Sequence, residues 1–118
     1  MSKHNFKKMK IWINAMELCK TIFNTLESFP KEEAYGLKSQ ISRCLVSIPS
    51  NIAEDSSRSS NKDFSRFLEI SLGSIYELQT QIILANYKDY ILDDQLEKIE
   101  IQIEELQKMI SGFQNSLK

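Results

Sequence analysis

Histidine occurs once, as His4, and cysteine only twice, as Cys19 and Cys44. With one imidazole, in a polar lead-in, no Ser-His or Cys-His pair can be assembled from the body of the chain. Nor can the repeated Glu-x-x-His motif of di-metal carboxylate bundles be written. The cysteines form no C-x-x-C and lack zinc spacing. Each falls on the apolar side of an expected helix, so both read as small core residues of a reducing compartment. The three glycines, Gly36, Gly73 and Gly112, stand alone and offer no phosphate-cradling loop. No apolar run approaches the roughly 20 residues that span a bilayer; the longest candidate is Ile82-Ile83-Leu84-Ala85. The opening MSKHNFKKMK lacks the apolar stretch of a signal peptide. An excess of one charge is missing too: 15 Lys and Arg face 16 Asp and Glu, a net charge of −1. A dedicated nucleic-acid binder carries a basic surplus that releases phosphate counterions. Glu104 and Glu105 are consecutive and do not share a helix face, so they make a poor acid–base pair. These absences give the expectation of a cytoplasmic protein that is not an enzyme, with no catalytic residue, cofactor, metal, membrane span or small-molecule substrate.

What is present is helix. With three glycines, two prolines and 42% apolar residues in 118, the chain suits one all-α domain over 1–118, with residues 1–8 as a frayed basic tail. Met9, Trp12, Met16, Cys19, Phe23 and Leu26 recur at spacings of three and four and read as the buried seam of a first helix. Ile11, Ala15, Leu18 and Ile22 form a second row beside it, wide enough for a second contact surface. Phe29-Pro30 ends this helix, and Pro30 is expected in the first turn of the next. There Leu37, Ile41, Cys44 with Leu45, Ile48 and Ile52 form the seam. Pro49 interrupts it by removing the bond to the Leu45 carbonyl, which predicts a kink, with Ser47 and Ser50 available to freed backbone groups. Residues 55–60 read as a loop, and Ser60 with Asp63 as a cap.

Phe64, Leu68, Ser71, Ile75, Leu78, Ile82 and Ala85 mark a third helix, with small Ser71, Gly73 and Ser74 allowing close approach by a neighbour. Asp93 or Asp94 caps a fourth helix, carried by Leu96, Ile99, Ile103, Leu106, Ile110, Phe113 and Leu117. Asp94/Lys98 and Glu104/Lys108 are spaced for i,i+4 pairs. Long helices, short connections and seams near period 3.5 predict an up-down-up-down four-helix bundle with a proline-kinked second helix.

One polar constellation stands out. Gln40, Arg43, Ser47, Asn51, Glu54 and Arg58 recur at spacings of three and four along the second helix. As a stripe of both charge signs they suit a mutually paired network, a subunit interface or a ligand groove in which Arg43 and Arg58 clamp a phosphate or carboxylate.

This same stretch carries a resemblance. Phe29-Pro30, Glu33, Tyr35-Gly36-Leu37, Gln40-Ile41, Arg43 and the block Ser47-Ile48-Pro49-Ser50-Asn51-Ile52-Ala53-Glu54 are followed by Arg58, Phe64, Phe67-Leu68, Gly73-Ser74 and Glu77-Leu78, with Trp12 upstream. They resemble the four-helix bundle family named after proteins encoded in intervening sequences of bacterial 23S ribosomal RNA genes. Asp55 takes the position that the family usually gives to glycine. The resemblance implies a homo-oligomer, a pentamer, acting as a scaffold or interaction protein. A related branch, the accessory protein of diversity-generating retroelements, implies the alternative of a nucleic-acid-binding protein that recruits a reverse transcriptase or similar partner. The near-neutral charge leaves room only for weak RNA or DNA binding. The lysines and arginines that would cluster for it are Lys3, Lys7, Lys8, Lys10, Lys38, Arg43, Arg58, Lys62 and Arg66.

Overall fold

The computed structural model describes residues 5–57 and 60–118. Four helices account for most of them: α1 Lys10–Leu26, α2 Leu37–Asp55, α3 Asn61–Tyr87 and α4 Asp93–Ser116, with short 3-10 turns at Phe6–Lys8 and Lys31–Glu33 and no strand among the described residues. Each helix packs on two others, α1 and α3 both against α2 and α4, which makes a four-helix bundle measuring 48 × 24 × 21 Å. The α3–α4 pair is antiparallel by its own bonds. Gln114 Nε2 donates to the Ser65 carbonyl at 2.9 Å, Gln107 Nε2 to Gln79 Oε1 at 3.5 Å and Asn86 Nδ2 to Asp93 Oδ1 at 2.9 Å.

The core rows of α3 and α4 are those that the spacing predicts. Phe64, Leu68, Ser71, Ile75, Leu78, Ile82 and Ala85 are buried on α3, and Ile99, Ile103, Leu106 and Ile110 on α4, with Leu96, Phe113 and Leu117 half-buried at its margins. On α1 both rows reach the core, and of the expected seam Met9, Cys19 and Leu26 are buried. Ile11, Ala15, Leu18 and Ile22 are the buried row, while Met16 and Phe23 stay 36% and 42% exposed and Trp12 is half-buried. Two adjacent rows compete for the bundle axis. The β-branched and aliphatic row fits it, and the bulky Trp12, Met16 and Phe23 are pushed to the rim.

Other boundaries also differ from expectation. Residues 5–8 are not frayed: Asn5 Oδ1 accepts from the Lys7 amide at 3.2 Å, and Phe6 packs edge-on against Trp12 with ring centroids 5.3 Å apart. Pro30 opens the 3-10 turn rather than α2, with φ −66° and ψ 152°. Asp55 is the last, buried residue of α2, in helical backbone that asks for no glycine. Helix α2 runs unbroken through Pro49. The Ser60 hydroxyl caps α3 by accepting from the Asp63 amide at 3.1 Å, as the sequence suggests. At α4 the cap position is Leu92, not an aspartate, and the Gln95 side chain reaches back to accept from the Leu92 amide at 2.9 Å. Asp93 lies inside the helix and instead receives Asn86, which also donates to the Ile91 carbonyl. Neither Asp94–Lys98 nor Glu104–Lys108 closes; the ion pairs among the described residues are Glu17–Lys20 and the long Asp63–Arg66 contact.

The start of α2 is organised by Glu33. The helix begins without a side-chain cap at Gly36, so its first amides need acceptors from elsewhere. Glu33 Oε1 accepts from the Leu37 amide at 2.9 Å, and its Oε2 accepts from the Tyr90 hydroxyl at 2.8 Å. Tyr90 belongs to the α3–α4 connection, and its ring lies 5.3 Å from that of Phe29. One carboxylate thus ties both connections at this end of the bundle. A Cβ on Gly36 would come within 2.6 Å of Glu33 Oε1, so glycine leaves the carboxylate its place.

The Leu37 amide and then the Tyr90 hydroxyl hold the Glu33 carboxyl below the usual carboxylate range, and the hydrogen bond to Glu33 pushes the Tyr90 phenol up. A carboxylate with a lowered folded pKa stabilises above its unfolded value, and that contribution is lost as pH falls through the folded one. A raised phenol contributes below its unfolded value and is lost as pH rises through the folded one. Tyr90→Phe and Gly36→Ala are therefore expected to lower the melting temperature near neutral pH, with the difference from the parent shrinking below the carboxylate range. Melting curves followed by circular dichroism between pH 3 and pH 8 check this; a pH-independent difference would contradict it.

Candidate functional site

Two surface features flank α2, one polar and one apolar. The polar one contains half of the stripe read from the sequence. Gln40, Arg43 and Ser47 come together with Cys44 on α2 and with Ser74, Glu77 and Gln81 on α3, lining a groove of about 380 Å³. Asn51 and Glu54 continue along α2, half-buried and exposed respectively, outside this lining. Arg58 lies outside the described residues. The expected mutual pairing is not seen among the described members. The Ser47 hydroxyl donates to the Cys44 carbonyl of its own helix at 2.6 Å, and neither Arg43 nor Glu54 has an ion-pair partner within 4.0 Å among the described residues. On the α3 side Gln81 Nε2 donates to Glu77 Oε1 at 3.3 Å, which leaves its buried Oε1 without a described partner. A free guanidinium beside a carboxylate and two amides makes an open, amphoteric groove.

The apolar feature is a groove between α1 and α2, again about 380 Å³, lined by Trp12, Met16, Cys19, Phe23, Val46, Pro49, Ser50 and Ala53. No charged side chain is among them. It arises because the outer row of α1 lies beside the side of α2 where Pro49 falls. Pro49 cannot donate to the Leu45 carbonyl, and neither Ser47 nor Ser50 takes its place. The Cys19 thiol does, with Sγ 3.8 Å from the Leu45 oxygen, across the α1–α2 contact. The partner for that carbonyl sits 26 residues upstream, so reasoning within the second helix could not find it. Cys44 acts likewise between α2 and α3, donating to the Ser74 carbonyl at 3.2 Å. Small Ser71 and Ser74 permit that approach. Gly73 is not used in it, since a Cβ there meets nothing within 4 Å.

A third groove, about 720 Å³, lies where the start of α3 meets the end of α4, lined by Asn61, Lys62, Asp63, Ser65, Arg66, Glu69 and residues 114–118 other than Ser116. Its inner wall is Gln114, a buried polar residue that the heptad reading of α4 overlooked. Its Nε2 is held by the Ser65 carbonyl and Glu69 Oε1 at 2.9 and 3.0 Å. Among the described residues no three His, Cys, Asp or Glu side chains gather as a metal site would require, and no helix is long and apolar enough to cross a membrane.

Burial pushes the Cys19 thiol up to about 11, and burial, followed by the Glu77 carboxylate, pushes Cys44 to about 11. The thiolate is the reactive form, so both cysteines should be slow. Alkylation at pH 8 is expected to run about a hundredfold slower in the folded protein than in denaturant, and to accelerate with pH up to that range. Mass spectrometry of timed samples reads it; fast labelling of either residue would show an accessible, activated thiol.

No curated protein matches the chain significantly. A family model described as 23S rRNA-intervening sequence protein matches residues 7–112, from the N-terminal 3-10 turn to within α4. With that match over most of a helical chain that folds as a four-helix bundle, the protein belongs to the 23S rRNA-intervening sequence protein family.

Proposed function

We propose that the protein is a non-enzymatic scaffold that works as a closed assembly of several copies of itself, a pentamer by family resemblance, in the cytoplasm. The carrying observation is the charge-free apolar groove between α1 and α2, with Met16, Phe23 and Val46 between 36% and 48% exposed. Scattered exposed apolar residues are ordinary; a contiguous uncharged patch marks an association site. The rod-like bundle favours side-by-side contact, because its long flanks offer far more area than its ends. The amphoteric polar groove supports a role in holding protein contacts rather than in transforming a substrate. Size-exclusion chromatography coupled to light scattering tests the assembly. The expected mass is a multiple of 13.7 kDa, and a monomer at micromolar concentration would overturn the reading.

A second reading, a nucleic-acid-binding accessory protein that recruits a reverse transcriptase or similar partner, is favoured by one feature. Lys7, Lys8 and Lys10 are exposed at the N-terminal turn and the start of α1, whose first turn holds no acidic residue. Repetition of that basic spot around a ring would concentrate it. Titration with RNA and DNA is expected to give weak binding at low salt that disappears at physiological salt. Tight binding that survives physiological salt would rank this reading first.

A further inference from the structure

The polar groove between α2 and α3 has walls of opposite character. The α2 wall carries a permanent cation, Arg43, beside the Gln40 amide, and the α3 wall carries the Glu77 carboxylate and the Gln81 amide. Cation and anion do not close on each other, since no Arg43–Glu77 contact falls within 4.0 Å. Glu77 accepts from Gln81 Nε2 with Oε1 alone, at 3.3 Å, and keeps its other oxygen. Gln81 Oε1 is buried and takes no hydrogen bond among the described residues. A buried acceptor left unpaired is destabilising until a donor reaches it. The Ser47 hydroxyl spends its proton on the Cys44 carbonyl and retains its own lone pairs as acceptors.

These walls define a ligand by complement. A guanidinium fork matches a planar carboxylate. A free carboxylate oxygen next to an orphaned amide oxygen matches a charged donor with more than one N–H. The groove, at about 380 Å³, lies near the lower end of the range for ligand pockets, so both groups belong to one small skeleton. Carboxylate and ammonium on a small skeleton are an α-amino acid. Apart from Cys44 the lining residues are polar or charged, which favours a polar side chain over an apolar one. We propose that the α2–α3 groove binds a free polar α-amino acid as its zwitterion, with the carboxylate on Arg43 and the ammonium on Glu77 and Gln81. This goes beyond the scaffold reading and does not depend on it; light scattering reads the assembly separately.

The test is isothermal titration of the full chain with L-glutamine, L-asparagine and L-serine, followed by two derivatives of the tightest, its α-amide, which lacks the carboxylate, and its N-acetyl form, which lacks the ammonium. One saturable site per chain is expected, with each derivative about tenfold or more weaker. Arg43→Gln should weaken the amino acid by a similar factor and no longer distinguish it from the α-amide, and Glu77→Gln should no longer distinguish it from the N-acetyl form. Absence of saturable binding in the millimolar range for all three amino acids would overturn the proposal. Derivatives that bind as tightly as the parent ligand would overturn the zwitterion, and binding that survives both substitutions unchanged would overturn the site. Arg43 and Glu77 are exposed, so both variants should keep their helical circular dichroism. If one does not, the derivative series on the parent protein still decides, with amide chemical-shift changes expected at Ser47 and Ser74; changes confined to other helices would overturn the site.

Discussion

The bundle axis can accommodate only one stripe from each helix, and α1 brings two. A helix in a four-helix bundle hides an arc of a little over 100°. Ile11, Ala15, Leu18 and Ile22 occupy that arc on α1 with almost no exposure. Trp12, Met16, Cys19 and Phe23 are then left a quarter-turn away, against the Pro49 side of α2, where no charged group comes to meet them. The apolar groove, the burial of Cys19 beside the Leu45 carbonyl and the exposure of Phe23 all follow from this competition. Nothing comparable occurs on α4, whose single row leaves a polar and acidic outer surface.

The same contrast explains what could be read from the sequence. The core rows of α3 and α4 were legible in the spacing, because on each helix the buried aliphatic side chains follow one four-three row. On α1 the spacing located the helix and named both rows, yet it could not rank them, since ranking depends on which side chains fit between α2 and α4. The helix ends were least legible. Glu33 and Tyr90 are 57 residues apart, and Cys19 and Leu45 are 26 apart; no local rule links either pair. Gln114 escaped notice because it sits beside the heptad positions and its partners, Ser65 and Glu69, belong to another helix. The polar stripe on α2 was correctly periodic, but periodicity alone does not say what its members touch. Three of them share a groove with α3 and two lie outside it.

Proline inside a helix normally marks a weakness, and here its effects are distributed. Pro49 is buried, its orphaned carbonyl is approached by a thiol from α1, and its ring forms part of the apolar groove wall. A thiol is a weak donor, so the substitution is loose and long. The compensation suits a position where shape matters to what packs outside the bundle as much as to the backbone within it.

The Glu33 carboxylate has a kinetic side. Local opening in proteins proceeds in cooperative units, and helix ends usually fray one by one. Here the first amide of α2 and the hydroxyl at the α3–α4 connection share one acceptor, and Phe29 packs at a tilt against the same tyrosine. Neither connection can swing out without releasing the other. This end of the rod is therefore expected to open as one unit made of two hairpin tips, with amide protons in both exchanging at a common rate. At the opposite end the Ser60 hydroxyl caps α3, and Gln114 near the end of α4 donates separately to Ser65 and Glu69.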